Sequence, residues 1–320
     1  MSNIASYFGV KSKTLQKHYK HQISGYHQWE QKQHAEDYLL FPENISDTIS
    51  IDEVSLSKGE LYTIVTNKNT NCKNKKSLIA IINGTESKTI EEVLLKLPLE
   101  SRNKVKEISM DMAPNMALAA RNSFTRSSLV TDRFHVVRLV CDAMQHIRTQ
   151  LRWKVIDEEN EAIKKAKEQN LKYKAEVLSN GDTLRELLVR SKYLLYKYEA
   201  DWTLKQKQRT EILFAKYPQL KQAYEFCITF RNIYKCAERE QAIRRLEEWK
   251  RSVLEAKIKE FNSVVNSIEH HIESILNFFN NRNTNANAES FNSKIKNFRA
   301  NLRGVTDIKF FLFRLQKLFA

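Results

Sequence analysis

All the strong β signal in this chain falls between residues 48 and 132, and nothing comparable follows. The runs TISIDEVSL (48–56), ELYTIVTN (60–67) and KSLIAIING (76–84) are rich in β-branched and aromatic residues and predict three strands. SKG (57–59) between the first two is a turn signal and predicts a hairpin. TIEEVLLKLP (89–98) predicts a helix closed by Pro98, and VKEISMD (105–111) a fourth strand. APNMALAARNSF (113–124) predicts a helix with Pro114 in its first turn, and SSLVTD (127–132) a fifth strand. The order β-β-β-α-β-α-β predicts an α/β fold built on a mixed five-stranded sheet.

From 134 to 281 the pattern is helical and highly charged, broken at SNGD (179–182) and YP (217–218). Only 6 Gly and 4 Pro occur in 320 residues, which favours long helices. The expected organisation is an N-terminal helical segment (1–45), a first core part (46–134), a large helical insertion (135–281) and C-terminal core helices (282–320).

The last segment, NRNTNANAESFNSKIKNFRANLRG (281–304), is cationic with a single acid, Glu289. Phe291, Ile295, Phe298 and Leu302 recur at i, i+4, i+7 and i+11 and predict one apolar helical stripe. Asn292, Lys296, Arg299 and Arg303 form a second stripe with Glu289 at its N-terminal end. Thr284, Asn285 and Asn287 are capping candidates and Gly304 a plausible stop. Glu289 has two readings: a first-turn acid complementing the helix dipole, or a metal ligand beside a phosphate-binding face.

The other acids sharpen the choice. Asp52 lies inside the first strand, where acids are disfavoured, with Glu53 as an immediate rival. Asp111 ends the fourth strand and is also placed to cap the following helix. If those strands are adjacent, both acids reach one place and Glu289 can join them. Two Asp and one Glu make a hard oxygen site suited to Mg²⁺ or Mn²⁺, and such a site holds two ions about 3.5–4 Å apart. Asp132 and His135 follow the fifth strand in VTDRFHVVR. They support the site, or they are an N-cap and a first-turn residue.

The net charge of +15 points to a polyanionic partner, nucleic acid first. Four Cys, at 72, 141, 227 and 236, form no Cys-x-x-Cys pair, which argues against a zinc finger and for a reducing compartment. No signal-peptide run and no 18-residue apolar run is present, so neither secretion nor a membrane span is expected. Near the start, Ala5, Gly9 and Leu15 have the spacing of a partial helix-turn-helix, with Lys11, Lys13, Lys17 and Lys20 toward DNA. The alternative there is a basic amphipathic helix. Further basic clusters are KNKK (73–76), RTQLRWK (148–154), KQKQR (205–209) and RRLEEWKR (244–251). Trp153, Trp202 and Trp249 are core residues or, as the sharper alternative, stacking platforms for an unpaired base.

SIDEVSL, SMDMAPNM, VTDRFHVVRLV and NANAESFNSKIKNFRANLRG, in this order and with a long helical stretch before the last, resemble the DDE transposases of bacterial insertion sequences, in the ISL-three type. The likeness is to the catalytic product of a two-gene branch and runs from about residue 5 to the C-terminus. It implies an RNase H-like fold with Asp52, Asp111 and Glu289 as catalytic, metal-binding residues. Asp132 and His135 match an Asp-x-x-His element after the fifth strand. The implied chemistry is Mg²⁺-dependent hydrolysis at the element ends, then attack by the freed 3′-hydroxyl on target DNA, with no covalent protein–DNA intermediate. Lys294, Lys296, Arg299, Arg303, Arg133, Lys13 and Lys17 are the expected DNA contacts.

Two other functions share these features: a non-catalytic, sequence-specific DNA-binding protein, and an RNase H-like nuclease that cuts without joining. The Cys-rich segment and complete helix-turn-helix domains of full-length relatives are absent or reduced to about 5–20. End recognition is therefore expected from an upstream-encoded product or a frameshift fusion. Pairing of two ends implies a homodimer or larger on DNA, in the cytoplasm at the nucleoid.

Overall fold

Each of the five β-rich runs forms a strand, and a sixth strand joins them at the edge. The computed structural model describes residues 2–56, 59–68, 76–282, 286–302, 305 and 307–320. The strands are β1 (Tyr38–Leu40), β2 (Thr48–Ser55), β3 (Leu61–Asn67), β4 (Leu78–Asn83), β5 (Glu107–Met110) and β6 (Ser128–Thr131). Helices flanking the sheet in sequence are α1 (Ser2–Tyr7), α2 (Ser12–His18), α3 (Ser87–Leu94), α4 (Leu99–Arg102) and α5 (Pro114–Ser123). The helical stretch comprises α6 (Arg133–Glu168), α7 (Leu184–Arg190), α8 (Leu204–Lys216), α9 (Pro218–Ile233), α10 (Arg239–Ala256), α11 (Lys259–His270), α12 (Ile272–Leu276) and α13 (Phe278–Asn281). The C-terminal helices are α14 (Ala286–Asn301) and α15 (Ile308–Phe319).

The chain folds into two compact units. One takes Met1–Asp132 with Asn283–Ala320, and the other takes Arg133–Arg282.

In the first unit the strand order is β1-β4-β3-β2-β5-β6. β2, β3 and β4 form an antiparallel meander, and β5 and β6 run parallel to β2. The sheet is therefore six-stranded, not five-stranded. The extra strand is three residues long, YLL, and pairs with β4 from Tyr38↔Ile82 to Leu40↔Ala80. A run that short carries no alternation from which a strand can be recognised. The hairpin turn SKG and the cluster KNKK fall largely outside the described residues, as do Cys72, Thr284, Asn285, Arg303 and Gly304; the Asn287 side chain lies outside them too.

Strand side chains alternate between faces, and each face has its own core. Ile49, Ile51, Val65 and Ile108 pack with Ile90 and Val93 of α3 and with Met116 and Ala119 of α5. Val54, Tyr62 and Ile64 pack on the other face with Phe291 and Ile295 of α14 and with Phe311, Leu312 and Leu315 of α15. Pro114 begins α5, as a residue that lacks the amide hydrogen a first turn leaves unused. In the N-terminal segment, Gly9 makes the turn between α1 and α2 at φ +64°, Ala5 is buried and Leu15 is half-buried. Lys20 then pairs with Asp307, and its ammonium lies over the rings of Tyr26 and Phe310.

The second unit is built from α6 to α13. Its helices start where the sequence breaks: Thr183 and Thr203 each form a capping box, with Glu186 and Gln206, and α9 begins at Pro218. Trp249 is buried and its indole donates to the Phe226 carbonyl at 2.9 Å; Trp202 donates to the Leu194 carbonyl at 3.1 Å. Both are core residues, whereas Trp153 is 56% exposed. Several cations of the basic clusters are structural. Arg148 is buried and donates to the Leu188 carbonyl, Arg209 pairs with buried Asp182, and Lys250 lies between Glu247 and Glu269. Cys141, Cys227 and Cys236 are buried free thiols.

Candidate active site

Register brings three aspartates into one row. β2 and β5 are parallel neighbours with Ser50 opposite Ser109, so Asp52 and Asp111 each stand two residues beyond that pair. A step of two keeps each acid on the same face as the serine it follows. β5 and β6 pair Met110 with Thr131, so Asp132 stands next to Asp111 one step further on, and its N–H donates to the Met110 carbonyl at 2.7 Å. Adjacent strands lie about 4.8 Å apart, which sets the scale of the row.

Each acid is held differently. Asp52 is 9% exposed; its Oδ1 accepts from the Glu53 N–H at 2.9 Å and its Oδ2 from Asn292 Nδ2 at 2.7 Å. Glu53, its rival, is exposed. Asp111 is half-buried and its Oδ1 accepts from the Ala113 N–H at 2.8 Å, closing the turn into α5. Asp111 does not cap α5: the N-cap is Ala113, without a side-chain cap, and Asp111 orders the turn before it. Asp132 is buried.

α14 docks onto this row through the face its sequence predicts. Phe291 and Ile295 are buried, with Phe298 and Leu302 packed beside them. Glu289 is exposed in the first turn. Asn292, one turn on, is buried and supplies the hydrogen bond to Asp52. Asn292 was visible in the sequence only as a member of the Glu289 stripe. A neutral amide in a cationic helix gives no further signal until its partner strand is known.

Two turns beyond Asn292, Arg299 is 5% exposed, ion-pairs with Glu60 at 2.7 Å and lies 5.1 Å from the Phe311 ring centre. The structure thus uses Arg299 as a brace between α14 and the segment entering β3. Lys294 and Lys296 are exposed on the same helix. Among the described residues, no three His, Cys, Asp or Glu side chains converge as a ready metal cluster. Asp52 and Asp111 each stand two residues beyond the Ser50–Ser109 pair, while Glu289 is exposed on α14.

Beneath the acids the same face is polar. Ser50 Oγ lies 2.9 Å from Thr66 Oγ1, and Lys68 Nζ donates to Ser109 Oγ. Burial pushes the Lys68 ammonium down to about 8, against the opposing pull of Glu107 and Asp132.

The remaining predicted residues belong to other elements. Arg133 and His135 belong to the first turn of α6, in the helical unit. Arg133 is exposed, with its guanidinium 5.9 Å from the Phe278 ring centre, and His135 is half-buried, edge-on to Phe134. Lys13 and Lys17 are exposed on α2.

No helix among the described residues is long and apolar enough to cross a membrane. No curated relative matches the chain. A family model described as a transposase, of the ISL3 DDE type, matches residues 49–315. That match takes in strands β2 to β6, the whole helical stretch and the helix carrying Glu289, and it places the chain in the ISL3-type DDE transposase family.

Proposed function

We propose that the chain is a DNA transposase with an RNase H-like catalytic core, and that Asp52, Asp111 and Glu289 are its catalytic, cation-binding residues. The observation that carries this reading is that Asp52 and Asp111 each stand two residues beyond the Ser50–Ser109 pair of two adjacent parallel strands. The meander β4-β3-β2 continued by parallel β5 and β6 supports the core assignment. The hydrogen bond from Asn292 to Asp52 supports a role for the Glu289 helix beside that pair.

The donor set is compatible with Mg²⁺ or Mn²⁺. It offers hard carboxylate oxygens and no thiolate or imidazole on the described strands, together with a buried amide oxygen, Asn292 Oδ1, that has no hydrogen-bond partner among the described residues. When bound there, divalent ions would lower the pKa of an attacking water or hydroxyl and offset charge on the leaving oxygen. The chain's own residues set the stage for that chemistry. Asp52 and Asp111 fix oxygen donors on a rigid sheet, and Glu289 adds a third carboxylate from α14. Asp132 and His135 are supporting residues. Exposed Lys294 and Lys296, with Arg133, Lys13 and Lys17, contact phosphates.

In the first reaction a water oxygen bonds to phosphorus, the P–O3′ bond at the element end breaks, and a 3′-hydroxyl is left. In the second, that oxygen bonds to a target phosphorus and displaces the target's own 3′-oxygen. On this reading the protein acts on element ends and target DNA at the bacterial nucleoid. It works as a dimer or larger assembly on DNA, with an upstream-encoded product aiding end recognition.

Glu289→Gln tests the assignment. Cleavage of an element-end duplex is expected to disappear while duplex affinity stays within about threefold of wild type. Unchanged cleavage would remove Glu289 from the catalytic set, and duplex binding by wild type with no cleavage in Mg²⁺ or Mn²⁺ would move the non-catalytic DNA-binding reading to first place. Strand transfer by wild type from pre-cut ends separates a transposase from a nuclease that only cuts.

A further inference from the structure

We propose that Asn292 is a further member of the cation site: its carboxamide nitrogen holds the Asp52 carboxylate, and its oxygen is the neutral donor that completes the coordination of a divalent ion there. The inference rests on the proposed cation-dependent reading of Asp52 and deepens it.

Three observations carry it. Asn292 is 8% exposed, so its amide is almost wholly removed from water. Its nitrogen donates to Asp52 Oδ2 at 2.7 Å, while its Oδ1 is buried and has no hydrogen-bond partner among the described residues. An amide oxygen left in that condition has lost its hydration with nothing in exchange. A hydrophobic residue of similar volume would pack there without that cost, so the oxygen calls for a use. A hard divalent cation beside Asp52 supplies one, because carboxamide oxygens are ordinary ligands of such ions.

The choice of an amide also suits the charge. A carboxylate at this position would stand against Asp52 and repel it before any cation arrived. An amide does the reverse: its N–H favours ionised Asp52, and its oxygen adds no charge. The arrangement is fixed mechanically at two points. Asn292 and Arg299 are seven residues apart, two turns on one face of α14. They engage Asp52 and Glu60, which stand on the two arms of the β2–β3 hairpin region. The helix is therefore held in a single register, with Glu289 one turn ahead of the amide.

The test is Mn²⁺ affinity, read from the electron paramagnetic resonance of free Mn²⁺ titrated with the full chain, without DNA and without turnover. The proteins compared are wild type, Asn292→Ala, Asn292→Asp and Asp52→Asn, each checked for a native circular dichroism spectrum. Asn292→Ala removes both amide functions and is expected to weaken Mn²⁺ binding tenfold or more. Asn292→Asp keeps an oxygen but loses the N–H, and is expected to bind at least as tightly as wild type. If Asn292→Asp is as weak as Asn292→Ala, the oxygen is not a ligand and the inference is overturned. Wild-type affinity in Asn292→Ala, with binding lost in Asp52→Asn, overturns the inference and leaves the proposed site standing. Unchanged affinity in both sinks the site and the inference together.

Discussion

Arg299 offers a quantitative test of what the cationic helix does. As a phosphate contact, its removal would weaken DNA binding and reduce the salt slope by about 0.9. The structure instead buries it against Glu60 and the Phe311 ring. Removing one partner of a buried pair costs about 3–5 kcal/mol, and the Glu60 side chain, 17% exposed, sets the lower end of that range. The ring contact adds about 1 kcal/mol. Arg299→Met, which keeps most of the aliphatic packing, is therefore expected to destabilise the fold by about 4 kcal/mol, a loss of roughly 8–16 °C in Tm for a domain of this size. The matching pair Arg299→Met with Glu60→Gln should recover part of the loss, because no uncompensated buried charge remains.

Chemical denaturation and the dependence of duplex affinity on salt, measured on the same proteins, separate the two roles. The expected pattern is a large stability loss with an unchanged salt slope for Arg299→Met, and the converse for Lys296→Ala. An Arg299→Met protein of wild-type stability with a slope reduced by about one would refute the brace.

Other outcomes follow from the same geometry. Ile295 is 1% exposed between α14 and β2–β3, so Ile295→Ala is expected to cost about 2–5 kcal/mol in a urea titration; a loss below about 1 kcal/mol would mean that α14 does not dock as described. Lys68 has its folded-state pKa pushed down to about 8 by burial, below the ordinary value near 10.4. Between those values the unfolded chain binds more protons, so this group's contribution to stability is complete at high pH and is lost as pH falls through about 8. The wild type should therefore gain stability over Lys68→Met as pH rises from 8 to 10, and a constant difference between the two would contradict that burial.

Much of the fold can be read directly from residue patterns. The five strand runs, the helix begun by Pro114 and the Phe291–Leu302 stripe each concentrate enough local preference to override context. Asp52 stands out because acids are rare inside strands and Asp111 because it ends a strand run, and the parallel pairing of β2 with β5 puts each two residues beyond the Ser50–Ser109 pair. What stayed hidden depends on partners far away in sequence. β1 exists because β4 offers it an edge. Arg299 looked like its neighbours Lys294 and Lys296 because charge pattern cannot distinguish a buried cation from a solvated one until Glu60 is placed beside it. Asn292 had no signal of its own, since its meaning lies in a carboxylate 240 residues away.

The central claim is that Asp111 and its neighbour on β2 hold divalent cations for phosphodiester chemistry. Asp111→Cys tests it most directly, because a thiolate is a poor ligand for Mg²⁺ and a better one for Mn²⁺. Cleavage of an element-end duplex is expected to vanish in Mg²⁺ and to return in Mn²⁺, with DNA binding unchanged in both. Full activity of Asp111→Cys in Mg²⁺ would contradict the account.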